Sequence, residues 1–272
     1  MESENPNQIK SENPNQKGLV RTDKKGNTQT YKHMTNNEKM AENLMKKQKR
    51  SESNFENCQW VNLAIKFAYI GINYNGFEAA KKAELPFIED MLFKMLQKRK
   101  FIKPIEGKDT QEICAYLSLE HNYKKCGRTD KGVSAAGNVI NLLVRDDGHE
   151  SHTYRSRMNS GLPRDIRVLD CQRVDKDFNT RLDCIQREYR YFFVKKHYNL
   201  SEMEKAGKKL IGEHDFRNFC KINLEAVTNH VRTIMDITIH KADFQHKDVD
   251  EKLKDYNNYF EMYYVKIKGN AF

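Results

Sequence analysis

The chain has 272 residues, with 48 Lys and Arg against 38 Asp and Glu, a net charge of +10. That length can bury a sizeable core in one large domain or two small ones. No apolar run approaches the roughly 18 residues that cross a membrane, and the start, MESENPNQIK, has neither a secretory h-region nor the acid-poor, Arg-rich look of a transit peptide.

In chain order, SENPNQ occurs twice, at 3–8 and 11–16, and Asn, Lys and Gln dominate. Residues 1–55 read as a basic Asn/Lys-rich tail. It is expected to be disordered over about 1–35, because few apolar groups offset the entropy of ordering. A weak helix is expected through TNNEKMAENLMKKQKR. The basic excess fits either a polyanion partner or a solvated surface.

Val61, Leu63, Ile65, Phe67 and Tyr69 alternate, which predicts a half-buried strand. INYNGF follows as a loop. In LPFIEDMLFKMLQKRKF, the residues Ile88, Met91, Leu92, Met95 and Leu96 share a helical face, with Pro86 in the first turn. A second strand carries Ile140, Leu142 and Val144. HTYRSRMNSGLPRDIRVL predicts a helix, a stop and a short strand. REYRYFFV is a strand with Tyr189, Tyr191 and Phe193 on one face, the last two expected in the core. SEMEKAGKKLIGEHDF predicts a helix ended near Gly212, and TIMDITIHKADF and NNYFEMYYVKIKG are two more strands, the last an exposed edge. The order gives an α+β fold with a mostly antiparallel sheet and helices packed on it.

Six cysteines show no CxxC and no zinc spacing, so reduced thiols are expected and no metal site. The chemistry-bearing stretch is KKCGRTDKGVSAAGNVINLLV, residues 124–144. Arg128-Thr129-Asp130 lies in a Gly-flanked loop that feeds a buried strand, where functional side chains are commonly displayed. A carboxylate beside a guanidinium is held ionised and can act as nucleophile or base. Arg128 can contact phosphate or fill the place of a displaced base, and Thr129 can bond the loop backbone. An aspartate in such a turn is also commonplace, so spacing alone leaves Asp130 as either a turn residue or a reagent.

CGRTDKGVSAAGNVI resembles the signature loop of the TruA family of tRNA pseudouridine synthases. AYIGINYNGF, NSGLPRDIRVL and FNTRLDCIQREYRYFF are similar to further family segments, in order. GEHDFRNFCKIN with Arg232-Thr233-Ile234 resembles the branch that modifies positions 38 and 39 of the anticodon stem-loop. The resemblance covers about residues 60–272 and KKAELPF departs from it. It implies a catalytic aspartate at Asp130, an arginine at Arg128 that holds the target nucleotide out of the stack, and an active-site tyrosine at Tyr189. Thr129, Arg187 and Arg217 are expected substrate-side residues: Arg187 either reaching phosphate or Asp130 or an ordinary surface arginine, Arg217 in a segment either packing or tRNA-facing.

The implied reaction isomerises uridine without redox or hydrolysis, so no cofactor is expected. The implied partners are tRNA and a second copy of the chain; the lack of a long apolar run gives no membrane, and the basic tail is compatible with nucleus or cytoplasm. The implied fold is two similar α+β halves whose sheets join, 56–160 carrying the RTD loop and 161–272 forming the second half. The family continues past G-x-AF into an H-x-x-R segment, so the second half is expected to be incomplete. That leaves an enzyme, or a truncated non-catalytic relative that binds RNA or serves in assembly.

Overall fold

The computed structural model describes residues 35–80, 83–148, 150–220, 229–242 and 261–270, and a small hairpin near the N-terminus. The hairpin pairs β1 (Leu19–Thr22) with β2 (Thr28–Tyr31) inside the stretch expected to be disordered; the rest of 1–34 lies outside the described residues. The weak helix of the tail is α1 (Asn36–Glu56). Thr35 caps it by accepting from Glu38 N–H, while the Glu38 carboxylate accepts from Thr35 N–H at 2.8 Å. This reciprocal cap satisfies two donors that a helix start otherwise leaves open.

The first half is built on β3 (Trp60–Tyr69), whose alternating Leu63, Ile65, Phe67 and Tyr69 are all buried. α2 (Ile88–Lys98) packs Ile88, Leu92, Phe93, Met95 and Leu96 inward. Pro86 does not sit in its first turn. It precedes the N-cap Phe87, and its carbonyl accepts from Asn75 N–H at 2.9 Å. α3 (Thr110–Glu120) and the two-residue β4 (Lys124–Lys125) follow. β5 (Ala135–Arg145) buries Ile140, Leu142 and Val144, α4 (Ser151–Asn159) buries Tyr154 and Met158, and β6 (Ile166–Arg173) closes the sheet. The order is β4-β5-β3-β6 and every pairing is antiparallel. The first sheet therefore draws on the chain as far as Arg173, past residue 160.

The second half has its own antiparallel sheet, in the order β7-β10-β9-β8, from β7 (Arg187–Val194), β8 (Gly212–Asp215), β9 (Val231–Lys241) and β10 (Met262–Gly269). Among the described residues the two sheets are separate. α5 (Leu200–Lys208) ends four residues before Gly212, which instead opens β8 at φ +108. α5 lies against β9, where a Cβ on Gly207 would come within 3.0 Å of Ile237 Cγ2.

β10 is an interior strand, flanked by β7 and β9, and not an exposed edge. Tyr191 is not core but 72% exposed, because β7 is the edge strand and α5 covers β9 rather than β7.

Candidate active site

The signature loop, residues 126–134, joins β4 to β5. Its start is tied down by Cys126 N–H to the Val139 carbonyl at 2.9 Å and Asn138 Nδ2 to the Gly127 carbonyl at 3.0 Å. Its end is a tight turn in which Val133 N–H donates to the Asp130 carbonyl at 3.1 Å, with Gly132 at φ +79 in the third position. That conformation favours glycine strongly, which is the physical content of the Asp-Lys-Gly-Val order. Asp130 is thus a turn residue by its backbone, and its side chain is displayed.

The loop after β3 clasps this turn. Phe77 N–H donates to the Thr129 carbonyl at 3.0 Å, and Gly132 N–H donates to the Tyr74 carbonyl at 3.2 Å. Gly76 adopts φ +111, and a Cβ there would lie 2.8 Å from the Thr129 carbonyl oxygen. INYNGF therefore needs its glycine both for conformation and for close approach.

Asp130 is exposed, and among the described residues nothing hydrogen-bonds or ion-pairs its carboxylate. The guanidinium expected beside it is turned elsewhere: Arg128 Nη1 pairs with Glu78 Oε2 at 2.6 Å. The Thr129 side chain does not bond the loop backbone as expected. Its hydroxyl meets Tyr69 OH at 2.8 Å. Burial raises the Tyr69 phenol pKa, the bonds to Thr129 and Asn138 lower it, and Tyr189 raises it again, with a net upward shift. Tyr189 on β7 is 41% exposed, and desolvation holds its phenol protonated above the ordinary tyrosine value while Arg187 opposes.

Arg187 does not pair with Asp130. Its Nη2 donates to the Cys126 carbonyl at 2.8 Å and its Nη1 to the Asn270 carbonyl at 2.6 Å. It thus pins the second sheet to the first residue of the signature loop. Burial, then the adjoining Cys184 thiol, pushes Cys126 up to about 11, so it is a neutral thiol at ordinary pH.

The structure brings together Thr129, Tyr69, Tyr189 and Arg187 around the loop that displays Arg128 and Asp130. It does not bring Arg217 to this group. Arg217 follows β8, at the sheet edge opposite β7, three strand spacings or about 14 Å away. There it makes a local pair with Asp215 at 2.8 Å. Of the HDFRNFCKIN segment, residues from Lys221 on lie outside the described residues, as do Lys81 and Lys82 of KKAELPF.

Tyr69 and Glu78 are contact residues that the sequence reading passed over. Tyr69 is indistinguishable from core by its alternation on β3, and Glu78 has no signal beyond its place after INYNGF.

The family model described as tRNA pseudouridine synthase matches residues 206–272. The tRNA pseudouridine(38/39) synthase of Saccharomyces cerevisiae is 33% identical over 234 residues, covering 78% of this chain and 50% of that protein. The tRNA pseudouridine(38/39) synthase of Homo sapiens is 35% identical over 196 residues, 65% of this chain and 38% of its own. The tRNA pseudouridine synthase A of Methanosarcina mazei is 36% identical over 177 residues, 65% and 58%. The chain is a homologue of the TruA-family tRNA pseudouridine synthases. It spans about half the length, or less, of the eukaryotic 38/39 synthases just named. The two antiparallel sheets with helices packed on them give the mixed α+β, two-half architecture expected of that family.

Proposed function

We propose that this chain isomerises uridine to pseudouridine in the anticodon stem-loop of tRNA, at positions 38 and 39. The observation that carries the reading is the Asp130 carboxylate, exposed and without a partner among the described residues, on a turn fastened by the Val133, Phe77 and Gly132 N–H bonds and the Thr129–Tyr69 contact. A loop so fastened costs no reorganisation when it meets its target.

The target uridine leaves the stack, at a cost of a few kcal/mol. Arg128 occupies part of the vacated space. The Asp130 carboxylate acts on the ribose or base as the N1–C1′ bond breaks, the uracil turns, and C5 bonds to C1′; C5 then gives up its proton and N1 takes one, so the atoms balance with no co-reactant. Tyr189, protonated, packs against the reacting nucleoside, while Thr129 is held by Tyr69. Arg187 sets the approach of the second sheet. Arg217, far from this group, contacts tRNA only outside the target nucleotide. The half carrying the RTD loop and the second half face one tRNA, with the basic tail over residues 1–55 adding sequence-independent phosphate attraction. A second copy of the chain completes the binding groove. Isomerisation has no net oxidation and consumes no water, so no cofactor is expected. Among the described residues no helix is long and apolar enough to cross a membrane. A nuclear or cytoplasmic site fits a tRNA substrate.

The test is pseudouridine formation on an anticodon stem-loop transcript by purified 1–272, beside Asp130→Ala. Product with the first and none with the second is expected. Retained tRNA binding with no product from either would replace this reading with that of a non-catalytic RNA-binding relative.

A further inference from the structure

Four charges run in sequence from the core of the first half to the signature loop. The first is Glu89, in the opening turn of α2, with a side chain that is 0% exposed. A carboxylate tolerates such burial only with partners. Among the described residues Glu89 has four: it accepts from Ala79 N–H at 2.9 Å, Tyr123 OH at 2.8 Å, Lys125 Nζ at 2.7 Å and, more weakly, the Cys114 thiol at 3.9 Å. Its place at the positive end of α2 favours the charge further. Lys125 also donates to Glu78 Oε1 at 2.7 Å, and the other Glu78 oxygen accepts from Arg128 Nη1 at 2.6 Å. Burial alone would lower Lys125, but the two carboxylates outweigh it and keep the ammonium charged. Burial alone would raise Glu78, but Lys125 and Arg128 outweigh that and hold it ionised.

The buried end of this row cannot move without stranding a charge. The exposed end is a long side chain with large rotamer entropy and an always-charged head. Arg128 is 64% exposed at its side chain, so its pair with Glu78 adds little to stability. What the pair does supply is direction. We propose that Glu78 is a positioning residue for the uridine isomerisation: anchored through Lys125 to the buried Glu89, it fixes the pose of the Arg128 guanidinium, two residues from Asp130. The inference rests on the reading of Arg128 as the residue that holds the target nucleotide out of the stack. Pre-set geometry of this kind lowers the entropic part of the barrier and leaves ground-state binding alone.

The test uses Glu78→Ala and Glu78→Gln in the 272-residue chain, with two readouts. The first is the NMR signal of the Arg128 guanidinium, assigned by its loss in Arg128→Lys, in protein without RNA. Restricted rotation is expected in the parent chain, free rotation in Glu78→Ala and an intermediate state in Glu78→Gln, whose amide oxygen retains one acceptor. The second is steady-state kinetics on the stem-loop. In Glu78→Ala, kcat is expected to fall about tenfold. KM should stay or fall, because a released guanidinium is free to meet phosphate, and Glu78→Gln should recover part of kcat. A merely structural role would shift the melting temperature and leave this split and rescue absent. Equal guanidinium mobility in parent and Glu78→Ala would overturn the inference, as would full kcat in Glu78→Ala. If the parent makes no pseudouridine, the functional reading fails and the guanidinium signal alone decides whether Glu78 fixes Arg128.

Discussion

Asp130 and Asp146 are both aspartates at the end of a strand or turn, yet their surroundings assign them opposite work. The Asp146 carboxylate accepts from Arg173 through two nitrogens at 2.6 and 2.7 Å, from Gly148 N–H at 2.8 Å and from Tyr154 OH at 2.9 Å. Arg173 chiefly, against the cost of burial, holds its pKa well below the ordinary aspartate value. A depressed carboxylate contributes stability that is fully present above its unfolded pKa and lost as pH falls through the folded one. Asp146→Asn is therefore expected to destabilise the chain by about 2 kcal/mol near neutral pH. The gap from the parent should shrink in urea titrations run below about pH 4. Asp130→Ala removes an exposed carboxylate that has no partner among the described residues, and should change stability by less than about 0.5 kcal/mol. The loop that displays Asp130 was legible in the sequence because its residues form a long contiguous motif. The turning of Arg128 toward Glu78 was not, because the partner is 50 residues away and no local spacing links them.

At the scale of elements, the loop after β3 and the signature loop act as one unit, and Gly76 is where they come closest. An alanine there meets two penalties at once: a backbone at φ +111 and a Cβ 2.8 Å from the Thr129 carbonyl oxygen, a backbone atom that cannot swing away. Gly76→Ala is expected to cost about 1–3 kcal/mol in denaturant titrations and to reduce any pseudouridine formation further than its stability loss accounts for. Gly127→Ala is the control, since nothing lies within 4 Å of a Cβ there. Strands β3, β5 and β7 were readable from period-two alternation, and α2 from its apolar face. α3 was not. Its capping box, Asp109 with Glu112, is written plainly in the sequence. Only Ile113 and Leu117 are buried along it, too few to set up a visible stripe. β4 and β8 are two and four residues long, below what periodicity can register.

For the molecule as a whole, burial is lopsided. Among the described residues, every buried apolar side chain except Ile234 lies between Leu63 and Cys171. In the second sheet β9 and β10 are mostly half-buried, while β7 and β8 are mostly exposed, with Tyr191 and Phe192 of β7 open to solvent. Stability follows buried apolar contact, so the two sheets should not open together. Native-state hydrogen exchange should show the β3 and β5 amides protected to the global limit. The amides of β7, β9 and β10 should exchange through a partial opening lower by at least about 2 kcal/mol. The link between the halves runs through Arg187, which bonds the carbonyls of Cys126 and Asn270. Arg187→Met keeps the stem and removes both bonds. It should lower the opening energy of the second sheet by about 1–3 kcal/mol while leaving the β3 and β5 amides unchanged. A single exchange free energy for both sheets would show that the second sheet draws its stability from the first-half core, and that Arg187 fastens a contact already cooperative without it.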